Sequence, residues 1–520
     1  MAKTKKEDQK LIEENLWDTA NKLRGTVESS EYKHVVLGLI FLKFASDKFE
    51  ERRKELVAEG KEKYLEMKEF YNMKNVFFLA PESRWSYVME NAKQDDIALR
   101  IDTALHTIEK NNPSLKGALP DNYFSRLNMD ASRLAALLDT INNINTVSDK
   151  EEDIVGRIYE YFLGRFASAE GKGGGEFYTP KSIVKLIAEM LEPYKGKIYD
   201  PCCGSGGMFV QSIKFVQSHQ GSTKDISIYG QEFTAVTYKL AKMNLAIRGI
   251  AGNLGEVPAN TFFKDQHPDL KADFIMANPP FNQSQWRAKS ELEDDARWAG
   301  FTAPPIGNAN YAWILHMMSK LSQEGTAGFV LANGSMSTNT SGEGDIRQQM
   351  IEKDWVDCMI ALPGQLFYTT QIPVCLWFMT KNKATGHSPL NGEPLRDRRG
   401  ETLFIDARQM GSMISRTQKE LTDEDLATIS RTYHAWRGEA NNGTYADELG
   451  YCKSASLEEI QKNDFVLTPG RYVGAAEEED DGIPFEEKME ELSATLKSQM
   501  AEALDLDQAI MQNLKDLGYE

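Results

Sequence analysis

The sequence predicts an α/β protein: an N-terminal helical domain, then a doubly wound, mostly parallel sheet, then a helical C-terminal tail. Three observations predict it. Residues 1–150 repeat apolar side chains at helical spacing, and no alternating strand pattern interrupts them. Across residues 151–405 short apolar runs alternate with helical segments, the signature of a parallel sheet covered by helices. Residues 484–517 return to apolar positions at threes and fours.

The elements follow in order. A first helix runs from Leu11 through Leu16, Ala20 and Leu23, and Gly25 suits its stop. A second begins near Ser30 and carries Val35, Val36, Leu39, Ile40, Leu42, Phe44 and Phe49 as a broad apolar stripe. Amphipathic stretches follow at 95–110 and 131–144, punctuated by Asn111-Asn112-Pro113 and Leu119-Pro120-Asp121. Strands are expected at 197–200, 226–230, 273–277, 328–332, 356–362 and 374–380. Residues 406–473 read as a mixed region. The last helix carries Phe485, Met489, Leu492, Leu496, Ala503, Leu506, Ile510 and Leu517, with Gln499 and Asn513 interrupting the seam. Expected domains are therefore 1–150, 151–405, 406–473 and 474–520, the last an acidic linker plus helix.

Composition narrows the function classes. The 520 residues are 41% hydrophobic and 27% charged, which excludes a wholly disordered or membrane-embedded chain. The net charge is −18, whereas a chain that grips DNA alone by counterion release should be basic. Residues 471–520 hold fourteen acidic residues against four basic ones, five of the acids in the run 477–481, so the tail carries more than half of the excess. The run reads as a solvated linker. Five scattered cysteines show no zinc-ligand spacing and no disulfide framework. Polar residues follow the basic start, so no secretory leader is expected, no apolar run is long enough for a membrane span, and the expected location is the cytoplasm.

Three clusters carry chemistry. The first is Asp200-Pro201-Cys202-Cys203-Gly204-Ser205-Gly206-Gly207, where a strand ends in a glycine-rich turn that opens a helix. Glycines admit close backbone approach, and a helix N-terminus offers free N–H groups. The spacing is not the GxGxxG dinucleotide fingerprint. The second is Glu232 at the end of the next strand, where a carboxylate can take two ribose hydroxyls. The third is Asn278-Pro279-Pro280-Phe281, directly after an apolar strand. Two prolines fix the backbone and remove two N–H donors. What remains is acceptor-rich: the Asn278 side-chain oxygen and the Pro279 carbonyl can both accept from one amino group, and Phe281 offers a face for stacking.

Together these clusters resemble the ordered motif set of amino-group DNA methyltransferases that use S-adenosylmethionine. Phe177-Tyr178-Thr179-Pro180, upstream, is similar to the motif that closes over the cofactor's methionine end. The cofactor motifs precede the catalytic one, as in the gamma class of adenine-N6 enzymes. Leu362-Pro363-Gly364-Gln365-Leu366-Phe367, with Thr370 to Pro373, resembles a late motif beside the target-base pocket. The segment from Leu16-Trp17-Asp18 to Arg24-Gly25 resembles the N-terminal helical domain of type I modification subunits. The chain is thus identified as similar to the methyltransferase subunit of type I restriction-modification systems.

That resemblance implies a sheet of the S-adenosylmethionine-dependent methyltransferase type and methyl transfer to adenine N6 of a flipped base in double-stranded DNA. It implies Asn278, Pro279, Pro280 and Phe281 as the catalytic set. It implies Phe177, Tyr178, Thr179, Pro180, Asp200, Cys202, Gly204, Ser205, Gly206, Gly207, Glu232 and Asn260 as cofactor-binding, and no metal. Asn260 stands where many relatives have an acid near the cofactor's adenine, with Asp265 as a substitute. Implied partners are a DNA-specificity subunit, a second copy of the chain and a motor-endonuclease restriction subunit. The rivals are a methyltransferase acting on RNA or a protein amide, a non-catalytic assembly module, and, more distantly, an NAD-dependent oxidoreductase.

Overall fold

The computed structural model describes residues 17, 29–127, 129–144, 161, 179–367, 371–384, 386–388, 392–439, 442–475 and 485–516. Most of the first expected helix, the segment 162–178 and the acidic run 477–481 lie outside these residues. The chain divides into two units, Met1–Val473 and Gly474–Glu520.

The apolar stripe of the N-terminal region becomes helix α1 (Ser29–Ala58). Its residues Val35, Val36, Leu37, Leu39, Ile40, Phe41 and Leu42 are completely buried. Each such side chain contributes about 1.5–3 kcal/mol by leaving water. Helices α2 (Ile97–Asn111) and α3 (Ala131–Asn142) pack into the same core. The buried Asp102 carboxylate accepts the N–H groups of Tyr123, Phe124 and Ser125 at 2.8–2.9 Å, which satisfies the start of a short helical turn. This core also takes in Leu240, Met243 and Ile247 from the sheet-covering helix α6, introduced below, so the helical region is docked on the sheet domain.

The sheet domain opens with helix α4 (Lys181–Leu191) and strand β1 (Gly196–Asp200). Then come α5 (Gly207–Ser218), β2 (Ile226–Gly230), α6 (Ala235–Ile247), a two-residue edge strand β3 (Gly252–Asn253), and β4 (Ala272–Ala277). Helix α7 (Asn310–Lys320) leads into the long β5 (Leu321–Ala332), and α8 (Glu343–Glu352) into β6 (Val356–Ala361). Strands β7 (Val374–Thr380) and β8 (Glu401–Asp406) follow. After 406 a small hairpin, β9 (Ser412–Met413) with β10 (Lys419–Glu420), precedes helix α9 (Asp423–Arg437), β11 (Cys452–Ser456) and α10 (Leu457–Lys462).

Nine strands form one sheet in the order β11-β8-β6-β7-β5-β4-β1-β2-β3. The run β5-β4-β1-β2-β3 is parallel throughout, whereas β7 is antiparallel to both β5 and β6. The connection 362–373 contains no helix among the described residues, so it supplies no crossover, and β7 enters the sheet reversed. Alternation sends Val330 to one face of the sheet and Phe329 and Leu331 to the other, where separate cores cover them. The mixed region after 405 belongs to the same sheet, because the whole of β11 pairs with Glu401–Ile405 of β8.

All five cysteines are free; Cys203, Cys358, Cys375 and Cys452 are buried and Cys202 is half-buried. Burial pushes each thiol above its ordinary range, Cys375 to about 12. No described helix is long and apolar enough to cross a membrane. In the second unit, helix α11 (Phe485–Asp516) leaves Leu496, Met500, Leu506, Ile510 and Met511 more than half exposed.

Candidate active site

Strands β1, β2 and β4 are parallel, so their carboxyl ends lie on one edge of the sheet, where open α/β folds bind ligands. That edge carries Asp200, Glu232 and Asn278. Asp200 ends β1 and is almost fully buried, and its Oδ1 accepts the Cys202 N–H at 3.0 Å. Burial pushes its carboxyl up to about 7, and the neighbouring Glu232 charge adds to the effect. The chain then turns through Gly204 and Gly206, at φ +53° and +79°, into the N-terminus of α5. A side chain at Gly204 or Gly207 would project into open space, so the turn forms an open cradle that leaves the backbone there approachable.

Glu232 closes that cradle from the next strand. Its Oε2 accepts the Gly204 N–H at 3.1 Å and its Oε1 the Thr234 N–H at 2.8 Å. The Glu232 carbonyl in turn accepts the Ala259 N–H at 2.9 Å, which brings the turn of Asn260 alongside. Asn260 Oδ1 accepts the Phe262 N–H at 2.9 Å. Asp265 is committed elsewhere, in an ion pair with Lys320 and a bond from the His267 N–H. Ser205 and Cys202 sit on the glycine turn, and the Ser205 carbonyl accepts from Asn244 Nδ2 at 2.7 Å.

Asn278 emerges from β4 on the same edge. Its Nδ2 donates to Thr179 Oγ1 at 2.9 Å, a contact between residues 99 positions apart. Its Oδ1 is buried and has no partner among the described residues. A buried carbonyl oxygen without a donor costs about 1–3 kcal/mol, a cost that an incoming N–H group would relieve. Pro279 is buried beside it. Phe281 meets Phe367 edge to face at 5.6 Å, which brings the late motif to the Asn-Pro-Pro-Phe loop. Pro180 caps α4, while Phe177, Tyr178 and Thr370 lie outside the described residues.

Reasoning from sequence missed the residues that brace this loop. Asn310 Nδ2 donates to Asn282 Oδ1 at 2.9 Å, and Asn282 N–H donates to Asn310 Oδ1 at 3.0 Å. The Ala309 N–H donates to the Gln283 carbonyl at 2.9 Å. This reciprocal pair ties the end of the Pro-Pro-Phe turn to the start of α7. The signal that could have found it is the Asn308-Ala309-Asn310 cluster just before an apolar helix, a capping composition.

The comparisons with known proteins agree with this geometry. The family model described as N-6 DNA Methylase matches residues 150–481, and the HsdM N-terminal domain model matches 12–142. The chain belongs to the N-6 DNA methylase family, as a type I methylase subunit. The type I restriction enzyme HindI methylase subunit of Haemophilus influenzae is 51% identical over 82% of the methylase described here and 94% of its own length. The MjaIX methylase subunit of Methanocaldococcus jannaschii is 40% identical, over 98% and 92%. The crystal structure of a type I methyltransferase subunit from Streptococcus thermophilus superposes with a TM-score of 0.72 at 24% identity, covering 89% of this chain and 99% of that one, which shows a shared fold. The methylase is an adenine-specific DNA methyltransferase, and the RNA, protein-amide and assembly-module readings find no support in these comparisons.

Proposed function

We propose that the methylase acts on adenine N6 through Asn278, Pro279 and Phe281, using S-adenosylmethionine held by the glycine turn, Asp200 and Glu232. The observation that carries the reading is the buried, partnerless Oδ1 of Asn278 on the sheet edge that also carries the open glycine turn of Gly204 and Gly207. Glu232 follows the strand next to β1 and braces the glycine turn, the position from which a carboxylate can take a ribose. Asn260, whose oxygen is occupied by Phe262 N–H, offers Nδ2 to a ring nitrogen. Thr179, beside Asn278, and Pro180 are the described part of the motif assigned to the cofactor's amino-acid moiety. S-adenosylmethionine supplies an electrophilic sulfonium methyl.

The chain's own residues prepare the nucleophile. Asn278 Oδ1 and the Pro279 carbonyl accept the two amino hydrogens, which localises the lone pair on N6. The Thr179 bond holds the Asn278 side chain in place at the end of β4. Phe281, backed by Phe367, stacks on the flipped ring. Bringing base and methyl donor to fixed positions on one sheet edge supplies much of the rate.

The acidic charge fits a subunit that relies on others to grip DNA. We infer a DNA-specificity subunit, a second copy of this chain and a motor-endonuclease subunit as partners, acting in the cytoplasm. The exposed apolar face of α11 is the surface offered to the specificity subunit. The test is transfer from labelled cofactor, by the complex with its specificity partner, to DNA, RNA and protein in parallel. Label in DNA at adenine N6 is expected. Label confined to RNA or protein overturns the reading.

A further inference from the structure

From the Asn260 turn runs a chain of buried and half-buried polar groups that neither the motifs nor the catalytic reading uses. Thr261 is buried, and its Oγ1 donates to the Pro201 carbonyl at 2.6 Å, spanning 60 positions to tie the Asn260 turn onto the glycine turn. The Thr261 carbonyl accepts Arg297 Nη1 at 3.2 Å and the Phe262 carbonyl accepts Arg297 Nη2 at 2.6 Å. Asp295 grips the same guanidinium with both oxygens, at 2.7 Å each. Arg297 Nη1 also faces His316 Nδ1 at 3.3 Å, and His316 Nε2 lies 3.1 Å from the hydroxyl of Tyr199, the residue before Asp200.

The proton positions follow from donor chemistry. Arg297 can only donate, so His316 Nδ1 accepts and Nε2 carries the hydrogen towards Tyr199. Such an imidazole must be neutral. Burial, reinforced by the Arg297 charge, indeed holds His316 down at about 3. The ring Tyr199–His316–Arg297–Thr261–Pro201 therefore closes with complementary donors and acceptors across the operating pH range. It joins the end of β1, the turn of Asn260 and the segment before α7.

We infer that Thr261 and Arg297 are positioning residues for the nucleoside end of the cofactor: they hold the Asn260 turn at a fixed height above Gly204 and Glu232. This rests on the cofactor assignment of the preceding subsection. A second tie makes the placement definite. Gln231 Nε2 donates to the carbonyls of Ala259 and Lys264 at 3.1 and 2.7 Å, so the turn is anchored at its base, and Thr261 sets its approach to the glycine turn. Loss of the Thr261 bond lets the turn lift and the two halves of the nucleoside site separate. Neither residue touches the methyl-accepting atoms, so the chemical step is untouched once cofactor saturates.

The experiment uses the full chain, with calorimetric binding of S-adenosylmethionine and of its demethylated product, and methyl transfer by the complex with the specificity subunit. Thr261→Val removes the hydroxyl at nearly constant volume and should weaken both ligands roughly tenfold, the scale of one lost buried hydrogen bond. The rate at saturating cofactor should stay within about twofold. Thr261→Ser, which keeps the hydroxyl, should restore affinity. Arg297→Lys, which keeps the charge and loses the fork, should weaken binding in the same way. The double variant should lose no more than the worse single one, because both act on one turn.

Unchanged affinity in Thr261→Val, failure of Thr261→Ser to restore it, or a fall in the saturated rate equal to the fall in affinity overturns the inference. If Arg297→Lys does not fold, the Thr261 pair alone decides. Wild-type protein that binds neither ligand, or a Glu232→Gln variant that binds both normally, instead overturns the cofactor assignment, so the two failures are distinguishable.

Discussion

The two halves of the crevice differ in how their polar groups are satisfied. On the proposed cofactor side, Asp200 and Glu232 accept backbone N–H groups, the Asn260 turn satisfies its own amide oxygen, and Thr261 ties that turn to the glycine turn. On the base side, Asn278 Oδ1 is buried and unpaired. The first half is built before any ligand arrives. On the proposed reading, the second is completed only when an amino group enters. A base has to be pulled from a stack at a cost of a few kcal/mol, and an acceptor already desolvated and oriented returns part of that cost at the moment of entry.

The largest test of this contrast removes the waiting acceptor. Asn278→Ala should lower methyl transfer on the order of a thousandfold, the scale of losing a pre-aimed polar group at a reacting centre. Cofactor affinity measured by calorimetry should hardly move. Phe281→Ala should likewise suppress transfer with cofactor binding intact. Equal losses in cofactor affinity would merge the two halves into one.

Next comes the cost of preforming the cofactor half. Asp200 has a folded-state pKa of about 7, above its ordinary value. The folded state therefore binds this proton more tightly than the unfolded chain does. Its burial costs nothing below about pH 4, and the penalty grows between about 4 and 7 and is complete above 7, where it reaches about 4 kcal/mol. Ligand-free protein should thus lose stability as pH rises through that window, and Asp200→Asn should flatten the slope. Denaturant melts at a series of pH values check this; an unchanged slope in the variant removes Asp200 as its source.

Glu232→Gln gives a smaller effect. One oxygen still accepts a backbone N–H, but the charge is gone, and cofactor affinity should fall roughly ten- to hundredfold with little change in saturated rate. Smallest on either half is deletion of residues 474–520. Assembly with the specificity subunit, followed by gel filtration, should weaken, and cofactor affinity should stay put.

Much of the fold was legible because its signals are local. Alternation and strand-length apolar runs place β1, β2, β4, β6 and β7 within a residue or so of where they lie. Strand β5 begins seven residues before the expected 328, because Ser322, Gln323, Glu324 and Gly325 are polar or small and fall in a register break between the pairs Ala272–Leu321 and Phe274–Thr326. Strand β11, with the sequence Cys-Lys-Ser-Ala-Ser, carries too few apolar residues to announce itself; its place comes from β8 beside it. The site divides the same way. Asp200, Glu232 and Asn278 stand in recognisable local contexts. The Thr179–Asn278 bond, the Asn282–Asn310 pair and the Thr261–Arg297 chain join segments 28 to 99 positions apart, and no periodicity encodes such meetings.

The five cysteines leave the methylase chemically quiet. Thiolate is the nucleophile, and burial keeps all five in the thiol form at neutral pH, including Cys202 within the glycine turn. Maleimide or a spin-label reagent should therefore react slowly with the natural chain. A cysteine substituted for Met500, on the exposed face of α11, should outpace them all, giving a single-site reporter with the native residues left in place.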